Sequence, residues 1–119
     1  MSDTKVIYLA HPCGAPTGLE HSANLVRALR WFQWAIEQDV AVVADWILYC
    51  HVWNDFIPEH REKGLRHDDA MILKCDEFWM VGGEITGGMA RGRETAKGGG
   101  VKDRDFTHLG PEPPKGEET

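Results

Sequence analysis

A chain of 119 residues, 42% apolar and 27% charged, has the size and balance of one globular domain and leaves little room for a second. Its formal charge of −6 argues against sequence-independent binding to a nucleic acid polymer, which needs a basic surface. No run approaches the ~18 apolar residues of a membrane span, and Met1-Ser2-Asp3-Thr4-Lys5 lacks the build of a signal peptide, which points to a cytoplasmic protein with no membrane partner.

Val6-Ile7-Tyr8-Leu9-Ala10 is almost continuously apolar and β-branched, as expected of a central parallel strand covered on both faces. His11-Pro12-Cys13-Gly14-Ala15-Pro16-Thr17-Gly18 then breaks into a loop. A helix is predicted over 19–38, with Leu25, Leu29, Phe32 and Ile36 as its core stripe. Trp31 and Trp34 share another face of that helix. They need a second partner, either inside the monomer or across a homodimer interface, and the reading adopted is self-association through this helix.

Ala41-Val42-Val43-Ala44 reads as a second strand with Asp45-Trp46-Ile47-Leu48-Tyr49 at its carboxyl end, and 50–58 as a loop. A helix over 59–74, a strand over 77–81, a helix over 89–97 and a short strand near Val101 follow. Residues 110–119, with three prolines and no periodicity, read as a disordered tail behind a domain of residues 1–109. Strands alternating with helices make a doubly wound α/β domain, whose site belongs at the carboxyl ends of the strands. That rule gathers Tyr8, His11, Asp45, Trp46, Asp68, Gly83 and Gly88.

On the 59–74 helix, Leu65 and Ile72 mark the buried stripe, and Asp68 and Asp69 lie within about 60° of Leu65. One carboxylate therefore leans inward, where it can orient a substrate or move protons; the competing reading makes both solvated residues paired with Arg66 or His67. Thr86-Gly87-Gly88 before a helix offers free N–H groups to an anion. Among the nearby cations Arg91, Arg93, Lys97, Lys102 and Arg104, most balance local acids, and Arg91 is the one assigned to substrate.

No P-loop, dinucleotide-binding fingerprint or metal-ligand spacing is present, so neither metal nor cofactor is expected. The cysteines Cys13, Cys50 and Cys75 are odd in number and widely spaced, which fits reduced thiols, and Cys13 is read as inert.

The order Val6-Ile7-Tyr8-Leu9-Ala10, Glu62-x-Gly64-Leu65 with Asp68, Cys75-Asp76-Glu77-x-Trp79-x-Val81-x-Gly83, then Gly88-Met89 and Ala96, resembles the nucleoside 2-deoxyribosyltransferase-like superfamily, closest to its small uncharacterised bacterial and phage branch. The likeness spans residues 5–101. It implies a three-layer, flavodoxin-like sheet and a hydrolase or transferase acting at the N-glycosidic bond of a nucleoside or nucleoside 5′-monophosphate, with no cofactor. It also implies a helix-borne aspartate eight residues before Asp76, which is Asp68, with Asp69 as fallback. Tyr8 and His11 would lie beside the nucleoside.

One departure is large. The superfamily's nucleophilic glutamate falls on Gly92. Glu94, two positions on, substitutes only if the helix starts late or shifts register, since it projects about 200° away on a regular helix. Otherwise water attacks directly with Asp68 as general base, or the domain is a catalytically inactive nucleotide-binding module, a sensor or sponge.

Overall fold

The computed structural model describes residues 3–14, 18–53 and 57–115. The chain runs β1 (Val6–Ala10), α1 (Gly18–Ile36), β2 (Ala41–Val43), α2 (Trp46–Val52), α3 (Pro58–Ile72), β3 (Glu77–Met80), α4 (Gly87–Gly98) and β4 (Lys102–Asp105), ending in a 3-10 turn at Thr107–Leu109. The four strands form one all-parallel sheet in the order β2-β1-β3-β4. This is a three-layer, doubly wound α/β domain of flavodoxin-like type.

Register follows directly from the apolar runs. Tyr8 lies between Val43 and Phe78, so the two central strands, β1 and β3, are buried almost throughout. Ile7, Leu9, Trp79 and Val81 pack with Trp31 and Ala35 of α1 on one face. Tyr8, Ala10, Phe78 and Met80 pack with Ile72, Met89 and Ala96 of α3 and α4 on the other, joined by Leu25 and Ala28 of α1. Crossovers before and after the β1–β3 pair thus lie on opposite faces, as right-handed connections require when strand order reverses.

Three elements differ from expectation. The buried face of α1 is Leu25, Ala28, Trp31 and Ala35, while Leu29 and Ile36 are 56% and 47% exposed. Two alanines bring the helix close to the sheet, and the indoles fill the space beside them. Trp34 meets Trp31 edge-on at 5.2 Å, Trp79 at 6.0 Å and Phe106 at 5.3 Å. The Trp31-Trp34 face therefore has aromatic partners within the monomer, with Trp31 buried and Trp34 half-buried.

The apolar run after Asp45 does not extend β2 but turns into α2, which also takes in Cys50, His51 and Val52 from the expected loop. The Asp45 carbonyl accepts from the N–H groups of Leu48 and Tyr49, and Trp46 Nε1 donates to Leu9 O at 2.8 Å, pinning the start of the helix to the end of β1.

The segment expected to be disordered is held at its beginning. Trp31 Nε1 donates to Pro111 O at 2.9 Å, and Arg30 makes two bonds to the Glu112 carboxylate at 3.0 and 2.7 Å. A fully buried indole N–H needs an acceptor, and this one comes from the chain beyond the sheet. Residues 116–119 of that segment lie outside the described residues.

Candidate functional site

A cavity of about 360 Å³ opens at the carboxyl ends of the strands. Its floor is Tyr8, Ala10 and Phe78; α2 contributes Trp46, Tyr49 and Cys50, α3 contributes Arg61, Gly64, Leu65, Asp68 and Ile72, and the start of α4 closes the far side with Thr86, Gly87, Gly88, Met89, Arg91 and Gly92. His11, Cys13 and Gly14 form the rim after β1. The volume falls within the range of small-molecule sites.

Asp68 is the acid of this cavity. Its Oδ1 is buried without a hydrogen-bond partner among the described residues, as are both carboxylate oxygens of Asp45, which sits behind the wall at the N-cap of α2. Burial, and next the charge of Asp45, push the Asp68 carboxyl up to about 7, against the opposing pull of the Tyr8 hydroxyl. Asp45 is raised as well, chiefly by burial. Tyr8, stacked on Phe78 at 5.8 Å, is kept firmly protonated by burial and then by the charges of Asp68 and Asp45. Two carboxyls this close to one another and to a phenol share protons: near neutrality one member of the pair can hold a proton while the other is charged.

His11 stands opposite. Only 4% exposed, it lies parallel to Trp46 with ring centroids 6.4 Å apart, and its Nδ1 meets Pro12 O at 2.7 Å. With Nδ1–H donating to that carbonyl, Nε2 keeps its lone pair, and it has no partner among the described residues. Burial holds the imidazole down at about 4, hence neutral at pH 7. Gly82, at φ +105°, lies against this ring; a Cβ there would come within 2.6 Å of His11 Cδ2.

Thr86 caps α4, its Oγ1 accepting from Met89 N at 3.4 Å, so the helix starts at Gly87 in regular register. Gly92 faces inward, where a Cβ would lie 2.9 Å from Phe78 Cζ and 3.4 Å from Ile72 Cδ1. Phe78 thus occupies the space a side chain at 92 would need. Glu94 is exposed and does not line the cavity.

The Asp69 carboxylate lies between α3 and α4. It accepts from Arg91 at 3.0 and 2.7 Å and from Thr95 Oγ1 at 3.0 Å, tying α3 to α4. Arg91 remains on the cavity wall, already paired, and Gly88 lies at its edge. Gly83 lies apart from the cavity lining: at φ +87° it backs onto Pro111, whose N would be 2.8 Å from a Cβ.

Sequence reasoning missed Tyr49, Cys50, Arg61 and Phe78. Reading 46–52 as a strand end hid the first two, although Tyr49 and Cys50 stand three and four residues after Trp46 and so share its helix face. Tyr49 begins an aromatic wall behind the cavity: its ring stacks on Trp53 at 5.2 Å and its hydroxyl meets His67 Nδ1 at 2.9 Å, while Trp53 stacks on His60 at 5.6 Å. Cys13 and Cys50, 37 residues apart, bring their sulfurs to 2.9 Å at the rim. No local signal marks that pairing, because it exists only once β1 and α2 are docked.

The model of the family described as Domain of unknown function (DUF7768) matches residues 5–106. The chain belongs to that family. The match runs from Lys5, just before β1, to Phe106, just after β4, so the whole sheet and the cavity are features of one DUF7768 domain. No curated protein and no solved structure matches the chain. Among the described residues of this DUF7768 domain no helix is long and apolar enough to cross a membrane.

Proposed function

We propose that this DUF7768 domain hydrolyses, or transfers at, the N-glycosidic bond of a nucleoside or nucleoside 5′-monophosphate without a covalent glycosyl-enzyme intermediate. The observation that carries the reading is Asp68, held near 7 beside a second buried carboxyl in a cavity of nucleoside size. Its motif order, which resembles the nucleoside 2-deoxyribosyltransferase-like superfamily, supports the substrate class. The start of α4 and Arg61, which both line the cavity, suit a 5′-phosphate.

In this mechanism Asp68 acts as general base. A water attacks C1′, its proton passes to the Asp68 carboxylate, and the C1′–N bond breaks with its electron pair going to the base. The proton held by Asp68 then goes to the departing base, so that water and nucleoside yield free base and sugar. The Asp45 carboxyl and the Tyr8 hydroxyl, both adjoining Asp68, set its proton affinity. Neutral His11 and Trp46 flank the nucleoside, consistent with burial of its apolar faces. No metal or cofactor enters this scheme.

A second reading has its own observation. Phe78 fills the space beside Gly92, where the superfamily's glutamate would stand, and that favours a module that binds a nucleotide and leaves it intact. The two are separated by incubating the pure protein with a panel of ribo- and deoxyribonucleosides and their 5′-monophosphates and measuring free base by chromatography. Catalysis predicts release of base, reduced by about 10²–10⁴-fold in Asp68→Asn, with kcat/KM rising with pH through about 7. Intact nucleotide that binds with no base released assigns the binding role instead.

A further inference from the structure

Beyond the strand-end acids, the rim of the cavity holds a group of side chains that the glycosidic reading does not use: Cys13 after β1, His21 in the first turn of α1 and Cys50 in α2. Cys13 Sγ lies 2.9 Å from Cys50 Sγ and 3.9 Å from His21 Nδ1, and the donor atoms of all three lie within 4.8 Å of one another. All three are half-buried, and both cysteines line the cavity. Ligands at about 2.3 Å (sulfur) and 2.0 Å (nitrogen) from a tetrahedral ion stand roughly 3.8 Å (S···S) and 3.5 Å (S···N) apart. The observed spacings bracket those values, so small side-chain rotations convert the cluster into three corners of a tetrahedron.

We propose that Cys13, His21 and Cys50 bind one thiophilic divalent cation of the zinc type, with the fourth coordination position open to the cavity. Two thiolates and an imidazole are the soft and borderline donors such an ion selects, and His21 makes the cluster more than a thiol pair. Ligation through His21 Nδ1 replaces its 3.0 Å contact with the Cys13 carbonyl. In the binding step the two S–H groups lose up to two protons to solvent while two M–S bonds and one M–N bond form, which leaves the site with no net charge. The ion would clamp the segment after β1 to α1 and α2, closing one side of the cavity mouth.

The test is a titration of the reduced full-length protein with Co(II), followed by Zn(II). The expected result is a thiolate-to-cobalt charge-transfer band with tetrahedral visible bands, saturating at one Co(II) per chain and bleached by Zn(II). Cys13→Ser and Cys50→Ser should abolish the band, His21→Ala should weaken binding by roughly tenfold or more, and Cys75→Ser, remote from the cluster, should keep it. Native mass spectrometry of the wild-type protein supplies a readout free of mutation, with one Zn(II) gained against two protons lost. A reduced protein that takes up no metal, a band that survives both serine substitutions, or a Cys13–Cys50 disulfide as the sole chemistry of the pair would overturn the proposal.

Discussion

Asp68 and His11 face one cavity with opposite proton linkages. The folded-state value of Asp68, about 7, lies above its ordinary 3.8, so between those values the folded protein keeps a proton the unfolded chain has lost. Its contribution to stability therefore falls as pH rises through that window. His11 is held at about 4 against an ordinary 6.5, so its contribution falls as pH drops from about 6.5 to about 4. Asp68→Asn should be more stable than wild type at pH 8 by about 1–3 kcal/mol, with the difference closing near pH 4; urea unfolding at the two pH values reads it. Gly92→Ala should lose about 1–3 kcal/mol, because the buried Phe78 ring has nowhere to retreat from a new methyl, and the loss should shrink in a Phe78→Leu background. Asp68 is legible in the sequence because a carboxylate next to a buried helix stripe has few places to go. Phe78 beside Gly92 is not, since strand and helix positions meet only through packing.

The elements differ in how openly they announce themselves. β1 and β3 are continuous apolar runs bounded by loop residues, and α3 and α4 carry clear starts at Pro58 and Thr86. α2 is hidden, because Trp46-Ile47-Leu48-Tyr49 has the composition of a strand and only the docking of Trp46 onto Leu9 O turns it helical. In α1 the apolar residues outnumber the buried positions, so periodicity alone selects Leu29 and Ile36 where packing selects Ala28 and Ala35. Between α3 and α4, Asp69 gathers three hydrogen bonds. Asp69→Ala should cost about 1 kcal/mol, the value expected of partly exposed charged bonds, and leave base release largely intact. A loss of turnover as large as that of Asp68→Asn would instead return Asp69 to the catalytic set.

At the scale of the whole domain, α1 and the segment after β4 complete the layer that a four-stranded sheet leaves thin on one face. Truncation after Gly110 should strip Trp31 of its acceptor and admit water beside it, shifting tryptophan emission to the red and lowering the urea midpoint by the equivalent of about 1–2 kcal/mol. The anchoring of Pro111 and Glu112 is illegible in a proline- and glutamate-rich stretch, since those contacts are made to single side chains of a distant helix. β4 carries a different consequence. Its sequence Lys102-Asp103-Arg104-Asp105 places a charge at every position of the sheet's outer edge, with Asp103 bound to Arg93 at 2.7 Å and the Arg104 guanidinium over Phe106. An incoming strand from another molecule would have to desolvate this row to hydrogen-bond with it, so the charges act as a barrier to edge-to-edge polymerisation. Replacing Lys102 and Asp105 by threonine should therefore leave the domain folded while making concentrated solutions scatter light on standing, sooner than the wild-type protein does.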